Sequence, residues 1–252
     1  MEFQTTHGPV AVTVATGADL NAIISKKYND NQGFSLATLN LDHLVKMNAD
    51  QPFYTAYSEH DIVVADGNPI VWMSKMAGHP IDLLPGSDLV APLSQQAAEA
   101  GMPVAMLGST ESALDGAAEV LKYKFPDLNV VCKISPAFGF DPMGEEAKAA
   151  LDAVHASGAR LCFLALGAPK QEMLAIHGRA RAPQTGFVSI GAGLDFLTGA
   201  QERAPKWARS IAMEWLWRLV SNPKRMAGRY AKCFAILPRQ VLNALQQRKR
   251  SA

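Results

Sequence analysis

Leu161-Cys162-Phe163-Leu164-Ala165-Leu166-Gly167-Ala168-Pro169-Lys170-Gln171-Glu172 is an unbroken apolar run that halts at a Gly/Pro turn and opens a helical pattern. A short apolar run with no polar alternation marks a strand covered on both faces. The segment from Gln171 to Arg179 reads as a helix, so the stretch is one strand–turn–helix unit.

Working outward, runs of the same kind occupy Phe34 to Leu39, Asp61 to Val64, Val104 to Leu107, Val130 to Ile134 and Phe187 to Ile190. Helical patterns lie between them at Leu89 to Ala100, Ala113 to Lys124 and Glu145 to Ala156. This alternation predicts an α/β fold, a mostly parallel, Rossmann-like sheet with helices on both faces. Ligands of such sheets sit at the carboxyl ends of the strands. Those ends here carry Thr38 and Asn40, Asp66 and Gly67, Gly108 and Ser109, Gly167, Pro169 and Gln171, and Gly191 and Gly193. Each alone reads as ordinary turn punctuation. Together they imply one shared pocket.

Charge divides the chain. The formal net charge is +1, but residues 203–252 hold 12 Lys and Arg against the single acid Glu214. Residues 1–202 therefore carry the other 12 bases and 22 acids, a balance of −10 against +11. We expect an α/β catalytic domain over 1–202 and a basic amphipathic helical appendage over 203–252. Such a tail suits phosphate, of nucleic acid or of a lipid headgroup, with a solvated helix as the plain alternative. Trp207, Ile211, Trp215 and Leu219 recur four apart, and aromatics beside arginines suit a membrane interface, although packing on the core accounts for the same stripe. No apolar run approaches the length needed to cross a bilayer, no secretory signal is evident, and Cys132, Cys162 and Cys233 show no paired spacing. A cytoplasmic protein is the expectation.

The candidate chemistry is specific to a few positions. Asp66, after the apolar Val63-Val64-Ala65, is placed for partial desolvation, which raises a carboxyl toward general-base range; an Asp-Gly turn is the competing reading. Gly167 to Glu172 opens a helix whose N–H groups, with Lys170, suit phosphate, and Gln171 offers donor and acceptor to sugar hydroxyls. Gly191-Ala192-Gly193 resembles the start of a dinucleotide fingerprint but has Phe196 at its third glycine position. It favours a nucleotide-dependent oxidoreductase only weakly; a non-catalytic membrane or nucleic-acid adaptor is the other rival. The histidines show no metal-ligand spacing, so no metal is expected.

Several motifs in order resemble the WecG/TagA/CpsF family of glycosyltransferases: Thr38-Leu39-Asn40 with Asp42-His43, Ala65-Asp66-Gly67, Gly86-Ser87-Asp88-Leu89, Phe138-Gly139-Phe140, Gly167 to Glu172, Gly191-Ala192-Gly193, Arg203-Ala204-Pro205, Glu214-Trp215 with Arg218, and Pro223-Lys224-Arg225 with Arg229-Tyr230. The resemblance implies an inverting, metal-independent hexosyltransferase. Its UDP-sugar donor is a substrate, no cofactor is needed, and the acceptor is a polyprenyl-diphosphate-linked sugar of the cell envelope or an exopolysaccharide. It implies Asp66 as base, with Thr38, Asn40 and Gln171 around it. The donor would lie along Gly108, Gly167, Pro169, Lys170, Gln171, Gly191 and Gly193. It also implies that the basic tail closes the site at the inner face of the cytoplasmic membrane, and Arg203, Arg218, Arg225 and Arg229 are the lid cations we expect at the diphosphate. No nucleic acid is expected; self-association is left open. Many members carry an arginine where Leu83 stands here. Either a tail arginine substitutes or the sugar differs from that of the mannosamine-transferring members.

Overall fold

A computed structural model describes residues 1–201, 204, 205, 208 and 212–251. The chain opens with a hairpin of β1 (Glu2–Gln4) and β2 (Pro9–Ala11), followed by α1 (Gly17–Asn29), β3 (Phe34–Leu39), α2 (Leu41–Ala49), α3 (Gln51–Ser58) and β4 (Ile62–Ala65). Next come α4 (Asn68–Met76), α5 (Gly86–Glu99), β5 (Val104–Gly108), α6 (Glu111–Lys124), β6 (Val130–Ile134), α7 (Glu145–Ala156) and β7 (Leu161–Ala165). The chain continues with α8 (Lys170–Arg181), β8 (Gly186–Ser189) and the short α9 (Gly193–Thr198), then α10 (Glu214–Ser221) and α11 (Pro223–Ser251).

Six strands form one parallel sheet in the order β4-β3-β8-β7-β5-β6. Steps toward β4 carry α2 and α3, α7 or α8, and steps toward β6 carry α6 or the pair α4 and α5, of which α5 makes the crossover and α4 packs on the α2–α3 face. Right-handed crossovers put helices of opposite steps on opposite faces. The packing agrees: Leu36, Val64, Met106 and Phe163 face a cluster with Leu20, Leu89 and Leu114 from α1, α5 and α6. The alternate residues Ala37, Leu39 and Val63 meet Leu44, Phe53 and Ile70, while Leu107 and Leu164 meet Leu151 and Leu174. Every residue of β3, β4, β5, β7 and β8 is buried, which is why these strands read as continuous apolar runs. At the sheet edge, β6 alternates between exposed and half-buried residues.

Short polar side chains start the helices around the strand ends. Asn40 caps α2 through a box with His43, Asp50 caps α3 ahead of a proline, and Thr110 caps α6. The long α11 returns to the start of the chain. Gln240 bonds both the N–H and the carbonyl of Gln4 (3.1 and 2.6 Å), and Gln247 does the same at Glu2 (3.0 and 2.6 Å). The hairpin is thus a dock for the basic helix.

Candidate active site

The register Leu39↔Ala65 brings the ends of β3 and β4 level. Asp66 N–H donates to Leu39 carbonyl at 2.8 Å, and Asn40 Nδ2 donates to Asp66 Oδ2 at 3.0 Å. Gly67, at φ +107, turns the chain sharply into α4 and leaves the carboxylate at the strand end. Burial pushes the Asp66 carboxyl up from its ordinary value; the Asn40 hydrogen bond, His43 and Arg218 oppose that rise, and Glu214 adds to it. Thr38 is buried one strand residue before Leu39, on the sheet face of Leu36.

A chain of hydrogen bonds runs sideways from Asp66 across the strand ends. Asn40 Oδ1 accepts His43 N–H (3.1 Å), and His43 Nδ1 accepts Asn40 N–H (3.3 Å). His43 Nε2 lies 3.4 Å from Glu172 Oε1, which also accepts Gln171 Nε2 at 2.8 Å. Gln171 Oε1 then accepts Gly191 N–H at 3.0 Å. Glu172 is fully buried, yet its carboxyl is held below the ordinary range: desolvation is outweighed by His43 and Gln171. The Tyr57 ring lies tilted against His43 and the His60 ring tilted against Tyr57, and burial pushes His60 down to about 4.

Glu172 and His43 stand in the motifs Gly167 to Glu172 and Asp42-His43, but nothing local to either residue marks its partner. The signal available was the box Asn40-x-x-His43, a helix start, but its link to Glu172 is purely tertiary. Gln171 is 4% exposed, with its amide engaged by Glu172 and Gly191.

A groove of about 430 Å³ opens beside this network, walled by Ser109, the Pro136–Phe140 loop and residues 166–170. Lys170 and Pro169 line it, the Ala168–Pro169 peptide bond is cis, and the Phe138 ring is fully exposed. Gly108, at φ +115, is required by backbone proximity: a Cβ there would lie 2.4 Å from Ala165 carbonyl oxygen. Ser109 Oγ donates to Asp195 Oδ1. Gly191 has φ +56, and Gly193 packs on Ser87 and Val90 of α5.

The appendage reaches the same end of the sheet. Arg229 and Lys46 share Asp42 Oδ2 at 3.0 Å each, and Lys46 also donates to Ala168 carbonyl at 2.8 Å. Arg218 pairs with Glu214, and Trp215 stacks edge-on with Tyr230 and Phe234. The Arg225 side chain is exposed on the first turn of α11. Arg203, Lys206, Trp207 and Ile211 lie outside the described residues. Leu83 is 39% exposed in a segment anchored by Leu84 N–H on Ala65 carbonyl, one residue from Asp66. Cys132, Cys162 and Cys233 are free thiols. Among the described residues no group of three or more His, Cys, Asp or Glu is placed to hold a metal, and no helix is long and apolar enough to cross a membrane.

The sheet defines a parallel α/β protein, with polar side chains gathered at its aligned strand ends. The sequence profile of the glycosyl transferase WecG/TagA/CpsF family matches residues 7–252, essentially the whole chain, and the chain belongs to that family. It is a glycosyltransferase.

Proposed function

We propose that the chain is an inverting, metal-independent hexosyltransferase. It moves a mannosamine-type N-acetylhexosamine or glucose from a UDP-sugar to a polyprenyl-diphosphate-linked sugar in cell-envelope or exopolysaccharide synthesis. The observation that carries this reading is a buried Asp66 carboxylate at the carboxyl end of β4, on the same end of the sheet as a groove of about 430 Å³ walled by residues that follow β5, β6 and β7. Asp66 takes the proton of an acceptor hydroxyl as that oxygen attacks the anomeric carbon. The bond to the UDP oxygen breaks on the opposite face, inverting the centre. UDP lies along the groove past Gly108, Gly167, Pro169 and Lys170 toward Gly191 and Gly193. Lys170 and Arg218 meet the charge that develops on the departing diphosphate. Arg218, close enough to act on Asp66 electrostatically, takes the place of the arginine absent at Leu83.

The exposed face of α11 supports docking at the inner face of the cytoplasmic membrane. Phe234, Leu242 and Leu245 are exposed there, with Arg248, Lys249 and Arg250 at its end.

Transfer assays with a panel of UDP-sugars and lipid-linked acceptors identify the donor. In the productive pair, Asp66→Asn lowers turnover by about 10²–10⁴-fold and leaves UDP affinity unchanged. Wild-type turnover in that variant removes Asp66 as the base.

A further inference from the structure

Glu172 and His43 touch no reacting group in this mechanism, yet they join its two halves. His43 Nδ1 accepts a backbone N–H, which assigns the ring proton to Nε2, facing Glu172 Oε1. Asn40 Oδ1 is engaged by His43 N–H, so Nδ2 faces Asp66. With that amide turned over, Nδ2 would meet His43 N–H and Oδ1 would meet the carboxylate, two repulsive contacts. The same logic holds across the cleft. Gln171 Nε2 on Glu172 leaves Oε1 for Gly191 N–H.

We propose that Glu172 and His43 are positioning residues for the transfer. Their contact ties the first turn of α2 to the first turn of α8, fixing Asn40 as a donor to Asp66 and Gln171 as an acceptor from Gly191. The inference rests on Asp66 being the base. Around the pair stand Tyr57, His60 and Asp66; around Asp66 stand Asn40, His43, Arg218 and Glu214.

The test compares full-length His43→Ala, His43→Gln, Glu172→Ala and Glu172→Gln with Asp66→Asn, reading kcat, KM and the pH profile of kcat/KM. The two alanine variants lower kcat by about tenfold or more, with KM for the UDP-sugar within about threefold. Their acid limb moves to higher pH, because the capping box loses the imidazole half that seats Asn40, and the donor that favours ionised Asp66 is held less well. Gln at 43 offers an acceptor to Asn40 N–H and a donor to Glu172, and Gln at 172 keeps the accepting oxygen. Both retain kcat within about threefold and move the limb less than the corresponding alanine variant does. Alanine variants with wild-type kcat, or with reduced kcat and an unmoved limb, overturn the inference. Undiminished turnover in Asp66→Asn strikes the base assignment instead, and so the two failures are distinct. Should the alanine variants not fold, Asn40→Ser keeps the helix cap while removing the donor without adding a charge beside Asp66. It must raise the limb, and Glu172→Gln must raise it less; the opposite result in either overturns the inference.

Discussion

Asn40 Nδ2 donates to Asp66 Oδ2 at 3.0 Å, so a helix cap on one strand end holds the carboxylate on the next. That bond only partly offsets burial, and the Asp66 carboxyl remains raised in the folded chain. A raised folded value means that ionisation costs more in the folded state than in the unfolded one. Stability is therefore undiminished below the ordinary value of 3.8 and falls as pH rises through the folded value. Asp66→Asn accordingly raises Tm at neutral pH, and the difference closes at about pH 3 in melts followed by circular dichroism. A variant that turns over far more slowly yet is more stable is the expected signature of a site that trades stability for function.

Asp42 makes the opposite prediction. Burial opposes its ionisation, but Arg229 and Lys46 outweigh burial and hold the carboxyl below its ordinary value. Stability from this group is present above the unfolded value and is lost as pH falls through the folded one. Asp42→Ala costs about 1–2 kcal/mol at neutral pH, less than a fully buried pair because both cations are partly exposed. It also frees α11 from α2, so amide exchange rises along α11 more than in the sheet.

The legible parts of the chain were those whose signal is local. The strand Phe34–Leu39 and the helix Glu145–Ala156 appear with the bounds their patterns predict, because two-sided burial and helical periodicity act within each segment. Strands β4 and β8 are offset by one residue, as strand ends blend into turns. The short helices α2, α3 and α4 carry too few residues for a clear helical period, although Asn40, and Asp50 ahead of Pro52, are cap signals. The β1–β2 hairpin had no local signature to find. Its strands have three residues each and take their place from Gln240 and Gln247 at the far end of the chain. At the site, residue types pointed to Asp66, Asn40 and Gln171, but the partners of each come from sheet register and helix packing.

Gly108 separates a backbone requirement from a binding role. Alanine there would place its Cβ 2.4 Å from Ala165 carbonyl oxygen, at a φ of +115 that a side chain disfavours. The neighbour is main chain of the adjacent strand β7, which cannot yield without breaking the ladder. Gly108→Ala should lower stability by about 2–4 kcal/mol in urea unfolding, measured without ligand. A variant of normal stability and weakened UDP affinity would instead make Gly108 a ligand contact alone.

The appendage carries the last prediction. Residues 203–252 hold a net charge of +11, and the face of α11 turned from the core exposes Phe234, Leu242 and Leu245. Apolar side chains inserted at headgroup level and cations on lipid phosphates act together, but only the second is screened by salt. Cosedimentation with anionic vesicles should therefore weaken as salt rises without vanishing. The double change Leu242→Ser and Leu245→Ser removes the salt-resistant fraction. Removal of residues 201–252 abolishes binding and most transfer activity, since Arg218 and Arg229 leave with it. The opposite face of α11 is pinned to the hairpin through Gln240, so the serine variants keep the wild-type fold. Equal binding by wild-type and truncated chains, at every salt concentration, would detach the membrane role from this helix.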